Sequence, residues 1–447
     1  MDLQEGKTHG TSSPDSVSTK LRKVAKLAEG APGMVFTTLA HHIDKSFLSE
    51  AFRQTRKDGA TGIDGQTAEA YAENLDENLA SLLSRFKTGT YKAPSVRRTY
   101  IPKGTSNETR PIGIPTLEDK VLQKAVTMVL ESVYEQDFLD CSFGFRPKRS
   151  AHQGLEKLWR GLMQLGGGVV LDVDIRKFFD TLAPSHLRGF LDLRVKDGVI
   201  RRAIDKWLKA GVMEKGVVSY PKVGTPQGGV ISPLLANIYL HEVLDKWFYQ
   251  EVVPRLNGSA FLVRYCDDFV IVCSNEGDAH RVMKVLPKRF GRYDLSLHPA
   301  KTRLVRFNHP NKGGGSDTFD FLGFTHYWGK SRKGHPVVIR KTAKDRMARS
   351  LAKISQWCRE NRHLPVKNQS RILTWKMRGH YGYFGITGNA LALKRFHFHV
   401  KRIWRKWLNR RSQRARMTWD KFTHLLREYP LPKPIVVHSK LSCSARP

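Results

Sequence analysis

Apolar residues recur along the chain in two spacings, and each spacing predicts a different element. Steps of three and four residues predict helices over 117–137, 37–56 and 279–292. The near-continuous run VVLDVDI at 169–175 predicts a strand that is buried on both faces. In FLVRYCDDFVIVC, at 261–273, two apolar runs flank a pair of carboxylates, which predicts a buried hairpin. Because helices and strands alternate here, the pattern predicts a central domain of α/β or α+β class.

Changes in composition divide the chain into segments. Residues 1–20 are polar and rich in Ser, Thr and Gly, which predicts a disordered tail. Past Lys330, about thirty Lys and Arg face four Asp and Glu on helical patterns that contain five tryptophans. The remaining expected segments are a helical N-terminal extension over 21–75, a mixed central domain over 76–330, a basic all-helical domain over 331–430 and a C-terminal tail over 431–447.

The chain is strongly basic, with 76 Lys and Arg against 41 Asp and Glu and a formal net charge of +35. Such an excess favours an extended polyanion as partner, and nucleic acid is the leading candidate. A membrane surface is the competing polyanion. However, the sequence has no apolar run of about 18 residues and begins without the apolar core of a signal peptide. Five widely spaced cysteines without zinc-ligand spacing indicate reduced, cytoplasmic thiols.

The carboxylate pair Asp267 and Asp268 is the most informative feature of the sequence. Two adjacent carboxylates in an apolar hairpin repel each other unless a cation offsets their charge. Asp174, at the end of the predicted strand, offers a third oxygen ligand, and Mg²⁺ prefers carboxylates combined with substrate phosphates. A solvated turn is the alternative for the pair alone. The acid-bearing strand and the basic chain together favour a metal site for phosphoryl transfer.

Several motifs occur in one order: DIRKFFD, TPQGGVISPLLANIYL, YCDDFVIV, LHPAKT and FDFLGF. Together with GATGIDG and RPIGIPTLEDKVLQ upstream and WKMRGHYGYFG downstream, they resemble the reverse transcriptases encoded by bacterial group II introns. The resemblance covers the chain from about residue 35 to residue 440. It implies an α+β, right-hand polymerase architecture, with fingers and an antiparallel-sheet palm over 76–330 and a helical thumb or maturase domain over 331–430.

The resemblance also implies roles for individual residues. The catalytic and metal-binding groups would be Asp174, Asp267, Asp268 and the backbone carbonyl of Ile175, holding two Mg²⁺ ions that Mn²⁺ could replace. The dNTP would be bound by Lys103, Arg110, Phe179, Gln227 and Lys301. Template and primer would meet Gly228 and Tyr265, and RNA would meet Arg378, Tyr381 and Tyr383. Asp172, on the same face as Asp174, would be structural.

Each of these roles has a plainer alternative. One of the paired Phe178 and Phe179 belongs to the core, and we favour Phe179 as the residue beneath the incoming sugar. Lys301 would donate a proton to departing pyrophosphate or be an ordinary surface lysine. The loop at Gly228 would lie against the nascent base pair, cap a helix, or do both. Most tryptophans past Lys330 are expected in the core.

The implied function is an RNA-directed DNA polymerase that binds its group II intron RNA, assists splicing and copies the RNA by target-primed synthesis. Its partners would be intron RNA, an RNA template with a DNA primer, target DNA and dNTPs, in a bacterial cytoplasm and at the nucleoid. Two alternatives stay open: a splicing maturase with dispensable catalysis, and a domesticated relative in phage defence or DNA repair. Without a Cys/His nuclease motif, priming is expected from another nick or a replication fork. The oligomeric state stays open.

Overall fold

The computed structural model of the chain describes residues 16–102, 109–214, 217–219, 228–312, 316–412, 414 and 416–438. The α-helices are α1 Val17–Gly30, α2 Lys45–Gln54, α3 Ala68–Glu73, α4 Leu75–Thr88, α5 Leu117–Asp137, α6 Ala151–Leu165, α7 Phe178–Thr181, α8 Pro184–Asp192, α9 Gly198–Leu208, α10 Ser232–Leu240, α11 Glu276–Gly291, α12 Lys344–Glu360, α13 Val366–Phe384, α14 Ala390–Leu408 and α15 Trp419–Glu428. The strands are β1 Val96–Pro102, β2 Thr109–Ile114, β3 Gly167–Asp174, β4 Val212–Glu214, β5 Val217–Ser219, β6 Ala260–Tyr265, β7 Asp268–Cys273, β8 Arg303–Asn308, β9 Phe319–Phe321, β10 Phe324–Lys330 and β11 Pro336–Thr342.

The N-terminal helices pack onto the rest of the molecule instead of standing apart. Helices α1 and α2 both lie against α5, and their buried side chains include Val24 and Phe47. The chain was predicted to be disordered up to residue 20, but the structure places Val17–Lys20 in α1. The cause is local: the Ser16 hydroxyl accepts a hydrogen bond from the Thr19 N–H and so begins the helix four residues earlier.

Helix α5 confirms the spacing argument at both ends. Its bounds, Leu117–Asp137, are those predicted from the apolar period. The Thr116 hydroxyl accepts from the Asp119 N–H and fixes the first turn. Because α5 is buried along most of its length, it forms the centre of the larger of two apolar cores.

The central sheet is antiparallel, with strand order β6-β7-β3-β8. Strand β3 is buried on both faces, as its apolar run predicts. Leu171 and Val173 point into the core with α5, whereas Val170 points into a second core with α6 and the C-terminal helices. The central sheet therefore lies between the two cores.

A second sheet, the outer sheet, has the order β2-β1-β4-β5. The antiparallel hairpin of β1 and β2 confirms the two strands predicted around a polar loop. The sheet is not wholly antiparallel, because β1 and β4 run parallel at Val96↔Val212 and Arg97↔Met213. Parallel neighbours need a long crossover, and here the chain passes through β2, α5, α6, β3 and α7–α9 before β4 begins.

A third sheet, the junction sheet, connects the central sheet to the C-terminal helices, with order β11-β10-β9. Its hairpin pairs Phe324 with Thr342 and Lys330 with Pro336. The predicted all-helical domain from residue 331 is therefore wrong over β11, where the β-branched run PVVIRKT after a tight turn favours a strand. Helices follow only from α12 onward. Among the described residues, no helix combines the length and apolar character needed to cross a bilayer.

Candidate active site

The strand register brings the predicted acids together. Asp174, the last residue of β3, pairs directly with Asp268, the first residue of β7. Residues that face each other in this way have Cα atoms about 4.5–5.5 Å apart. Asp267 precedes Asp268 in the two-residue turn between Tyr265 and Asp268. The three acids, which come from two distant segments of the sequence, therefore occupy one end of the central sheet.

The electrostatics of this end favour a cation. Burial raises the pKa of Asp268 to about 7, and the charges of Asp267, Asp172 and Asp174 add to that rise. Asp268 nevertheless keeps exposed surface, so the surrounding protein removes only part of its hydrating water. A positive charge beside Asp268 would favour the ionised form of every acid around it.

Two basic side chains contact the acids, one from the segment before β8 and one from the first residue of β8. Lys301 Nζ lies 2.6 Å from Asp174 Oδ2, and Arg303 Nε lies 3.2 Å from Asp172 Oδ2. The Asp172–Arg303 pair supports the expectation that Asp172 is structural. Arg303 is not among the site residues that the sequence predicts. Strand register alone places it opposite Asp172, through the pairing of β3 with β8.

The donor set suits a metal that takes part of its shell from substrate. In the described ranges, no three Asp, Glu, His or Cys side chains are grouped closely enough to hold an ion alone. Mg²⁺ is commonly bound by one or two carboxylates together with substrate phosphates, which Asp174 and Asp268 can satisfy from opposite strands. The residues thus fit a divalent ion shared with a triphosphate.

The backbone bridge at Ile175 turns the carbonyl of this residue away from Leu297. Ile175 forms an antiparallel bridge with Leu297, in which Asp174 O accepts from His298 N at 2.8 Å and Arg176 N donates to Ser296 O at 2.8 Å. In such a bridge the N–H and C=O of the central residue point away from the partner.

The two neighbouring phenylalanines differ in burial. Phe178 is 2% exposed and its ring packs edge-on against Tyr239, with centroids 6.3 Å apart. Phe179 is half-buried at the edge of the same core. Phe178 is therefore the core member of the pair, which leaves Phe179 as the candidate beneath the sugar.

The predicted dNTP and template residues are described only in part. Lys103 and Gln227 lie outside the described residues. Arg110 is exposed on β2, opposite Ile101. Gly228 has φ +113°, and a Cβ there would lie 2.4 Å from the Gly113 carbonyl oxygen, so its glycine is required by packing against β2. 

Tyr265 lies beside the acids. It is half-buried and pairs with Asp268 across the hairpin. Its ring centroid is 6.4 Å from that of Phe145, a side chain that is 59% exposed. The two rings form an aromatic border at the end of the sheet.

The three residues predicted to contact RNA have different environments. Arg378 is exposed on α13. Tyr383 is half-buried, and its hydroxyl donates to the Leu322 carbonyl at 2.8 Å, so it joins α13 to the turn between β9 and β10. The prediction for Tyr381 is wrong: its side chain is 1% exposed, and its hydroxyl donates to the Pro432 carbonyl. The helical repeat places Tyr381 on the buried face of α13 with Met377.

Comparisons with known proteins agree with this geometry. The family described as Reverse transcriptase (RNA-dependent DNA polymerase) matches residues 101–326. The chain is 31% identical over 373 residues to Protein YkfC of Escherichia coli K12, a match that covers 75% of this chain and 94% of that protein. It is 40% identical over 235 residues to the Group II intron-encoded protein LtrA of Lactococcus lactis, covering 52% of this chain and 38% of LtrA.

A more distant relative is the Putative COX1/OXI3 intron 2 protein of Saccharomyces cerevisiae, which is 35% identical over 252 residues, 56% of this chain and 27% of that protein. The matches to LtrA and to this yeast protein span well under half of each relative's length. The family profile, the match over most of YkfC and the paired acids in the central sheet agree: the chain belongs to the reverse transcriptase family.

Proposed function

We propose that the chain is an RNA-directed DNA polymerase that adds dNTPs to a primer 3′ end on an RNA template. The observation that carries the proposal is the direct pairing of Asp174 with Asp268 beside Asp267. In this proposal the central sheet is the palm, the outer sheet belongs to the fingers, and α12–α15 form the thumb. The match of the family profile to residues 101–326 supports the assignment of palm and fingers.

The proposed metal ligands are Asp174, Asp267, Asp268 and the carbonyl of Ile175. Two bound Mg²⁺ ions, or Mn²⁺ in their place, would supply an activated 3′-hydroxyl and charge neutralisation at the phosphates. Phe179 would lie under the deoxyribose and exclude a 2′-hydroxyl. Arg110, together with Lys103, would hold the triphosphate, because guanidinium groups bind phosphate oxygens in pairs.

Lys301 would have two successive partners, first Asp174 and then the leaving pyrophosphate. Its ammonium group contacts Asp174 in the protein alone. With a triphosphate bound at the three acids, the same flexible side chain would turn to the leaving pyrophosphate and donate a proton to it. Gln227 and Gly228 would border the nascent base pair, with Tyr265 beside the primer end.

The proposed partner RNA is the group II intron that the named relatives suggest. Helices α12–α15 carry most of the basic excess of the C-terminal region, and Lys and Arg neutralise phosphates with release of counterions. By binding intron RNA, this unit would assist splicing and place the polymerase for target-primed synthesis into DNA.

Primer extension with dNTPs on an RNA template tests the polymerase assignment. Asp267→Ala should lower incorporation at least about a thousandfold, since it removes a ligand of the metal ions that hold the reacting phosphates, while binding and splicing of the intron RNA persist. Asp140→Ala, at an exposed acid paired with Arg149, is the matched control and should incorporate at the unmodified rate. Unchanged incorporation by Asp267→Ala would contradict the proposal.

A further inference from the structure

A buried polar cluster lies directly under the turn that carries the acids. Arg264, fully buried on β6, donates from Nε to Asp245 Oδ1 at 2.8 Å and from Nη2 to the other oxygen of that carboxylate. Its Nη1 donates to Asn237 Oδ1 at 2.9 Å and to the Cys266 carbonyl at 3.1 Å. One guanidinium thus connects a buried carboxylate, a buried amide and the turn itself.

The turn is held from its other side by the segment before α6. Asn237 Nδ2 donates to the Gly144 carbonyl at 2.7 Å. A Cβ on Gly144 would lie 2.4 Å from the Cys266 nitrogen, so the backbone there packs directly on the turn. Cys266 has φ +60°, a left-handed conformation that non-glycine residues adopt only when their surroundings impose it.

The helical segment after α10 positions the carboxylate of Asp245. It continues as π-helical stretches at His241–Asp245 and Phe248–Val252, and Asp245 closes the first of them. Such stretches are rare and recur at functional sites, because the extra residue turns a side chain out of the ordinary α-helical direction. Here that side chain pairs with Arg264.

We propose that Arg264 is a positioning residue for catalysis: through its bond to the Cys266 carbonyl it fixes the directions in which Asp267 and Asp268 leave the turn. The inference rests on the proposed polymerase function and deepens it. A buried ion pair by itself is weak evidence for stability, since apolar pairs of similar volume often serve as well. The bond to the turn is what an apolar pair could not provide, and catalytic ligands tolerate displacements of only about 0.5 Å.

Arg264→Lys tests the inference, because lysine keeps the charge but loses the planar fork that binds three partners at once. We expect the affinity of the nucleotide-free protein for Mn²⁺ to weaken at least fivefold. Electron paramagnetic resonance measures this affinity. We also expect kcat for dNTP incorporation to fall at least tenfold, with KM for dNTP changed less than threefold.

Arg194→Lys is the matched control. Arg194 is also buried, pairs with Asp137 at 2.8 Å and donates to backbone carbonyls at Ala31 and Met34, in a segment that contributes none of the acids. It should lower the melting temperature by a comparable amount and leave Mn²⁺ affinity unchanged. Equal loss of Mn²⁺ affinity in both variants would overturn the inference, since it would show a general effect of destabilisation.

Asn237→Ala keeps the test decisive if Arg264→Lys does not fold. It removes one acceptor of the guanidinium and the bond to Gly144 while leaving the ion pair, and it should weaken Mn²⁺ binding in the same direction. Mn²⁺ affinity and kcat at the unmodified values in a folded variant would overturn the inference. Absence of dNTP incorporation by the unmodified protein would instead refute the polymerase proposal, and the Mn²⁺ comparison would still decide the role of Arg264 on the turn.

Discussion

Lys301 Nζ lies 2.6 Å from Asp174 Oδ2, so a lysine from the segment before β8 holds the carboxylate that we propose as a metal ligand. Both side chains are partly exposed, 52% for the lysine and 35% for the aspartate. A metal ion and the ammonium group therefore compete for the same oxygen until a triphosphate offers the lysine another partner.

The competition predicts opposite effects of Lys301→Ala on metal binding and on synthesis. Mn²⁺ should bind the nucleotide-free variant up to about fivefold more tightly, because an exposed ion pair is worth at most about 1 kcal/mol. Incorporation of dNTPs should slow, because the proton donor for pyrophosphate is lost. Mn²⁺ titration and single-turnover primer extension measure the two effects. Lys301→Arg keeps the charge and should bind Mn²⁺ as the unmodified protein does; unchanged or weaker binding by Lys301→Ala would contradict the competition.

Replacing each of the two acids on one face of β3 should affect DNA synthesis very differently. Asp172 is held by Arg303, whereas Asp174 faces Asp268. Asp172→Asn should leave primer extension within about threefold and lower stability by less than about 1 kcal/mol, as for a partly exposed ion pair. Asp174→Asn should lower extension at least about a thousandfold, since it removes a metal ligand. Loss of synthesis in Asp172→Asn would show that this acid also serves the metal.

The sequence predicts the strands that carry the acids, but it does not predict which residues these strands place side by side. An apolar run with acids two residues apart predicts a strand with both acids on one face, and this holds for Asp172 and Asp174. The roles of these two acids diverge only through strand register. Register depends on the two-residue turn after Tyr265 and on the choice of β8 as the other neighbour of β3, neither of which local spacing determines.

Long-range contacts explain the wrong predictions as well. The period of α13 shows that Tyr381 shares a face with Met377 but not whether that face is covered, and the segment containing Pro432 covers it from fifty residues away. Arg264 is absent from the predicted site although its position carries a signal: a lone arginine inside an apolar strand must be paired when buried. Its partner Asp245 lies on a helix whose π-helical stretch no periodicity predicts.

The phenylalanine pair gives a prediction that separates specificity from stability. Phe179→Ala should raise incorporation of ribonucleotides relative to deoxynucleotides by at least tenfold, because space opens for the 2′-hydroxyl. Phe178→Ala should instead destabilise the fold by about 3–5 kcal/mol, the usual cost of truncating a buried aromatic. Competing rNTP and dNTP extension and urea unfolding of both variants make the comparison. Equal sugar selectivity in Phe179→Ala and the unmodified protein would contradict the proposed position of Phe179 beneath the sugar.

Acid should destabilise the junction sheet through His326. This side chain is fully buried on β10 and stacked on Phe319 with ring centroids 4.7 Å apart. Burial, with the neighbouring charge of Arg340, lowers its pKa to about 3. Because the folded pKa lies below the unfolded value of about 6.5, its contribution to stability is fully present above pH 6.5 and is lost as the pH falls toward 3.

The measurement is the free energy of unfolding in urea between pH 7.5 and pH 5. Linkage gives a loss of about 2 kcal/mol from His326 over that interval, because the unfolded state binds a proton that the folded state does not. His326→Phe keeps a ring against Phe319 and should remove that part of the acid sensitivity. His280→Phe, at an exposed histidine, is the control and should leave the pH dependence unchanged; identical profiles for both variants would contradict the assignment to His326.

RNA affinity should depend steeply on salt, and α13 offers a paired test. The binding constant for the intron RNA is expected to fall linearly with salt on logarithmic axes, since each neutralised phosphate releases counterions. Arg378→Ala, at an exposed side chain, should lower the magnitude of that slope by about 1 if the arginine meets a phosphate, whereas Arg378→Lys should preserve it. Tyr381→Ala should act differently, lowering stability by about 3–5 kcal/mol with the slope unchanged below its melting temperature. A flat salt response of the unmodified protein would exclude a large electrostatic interface with RNA.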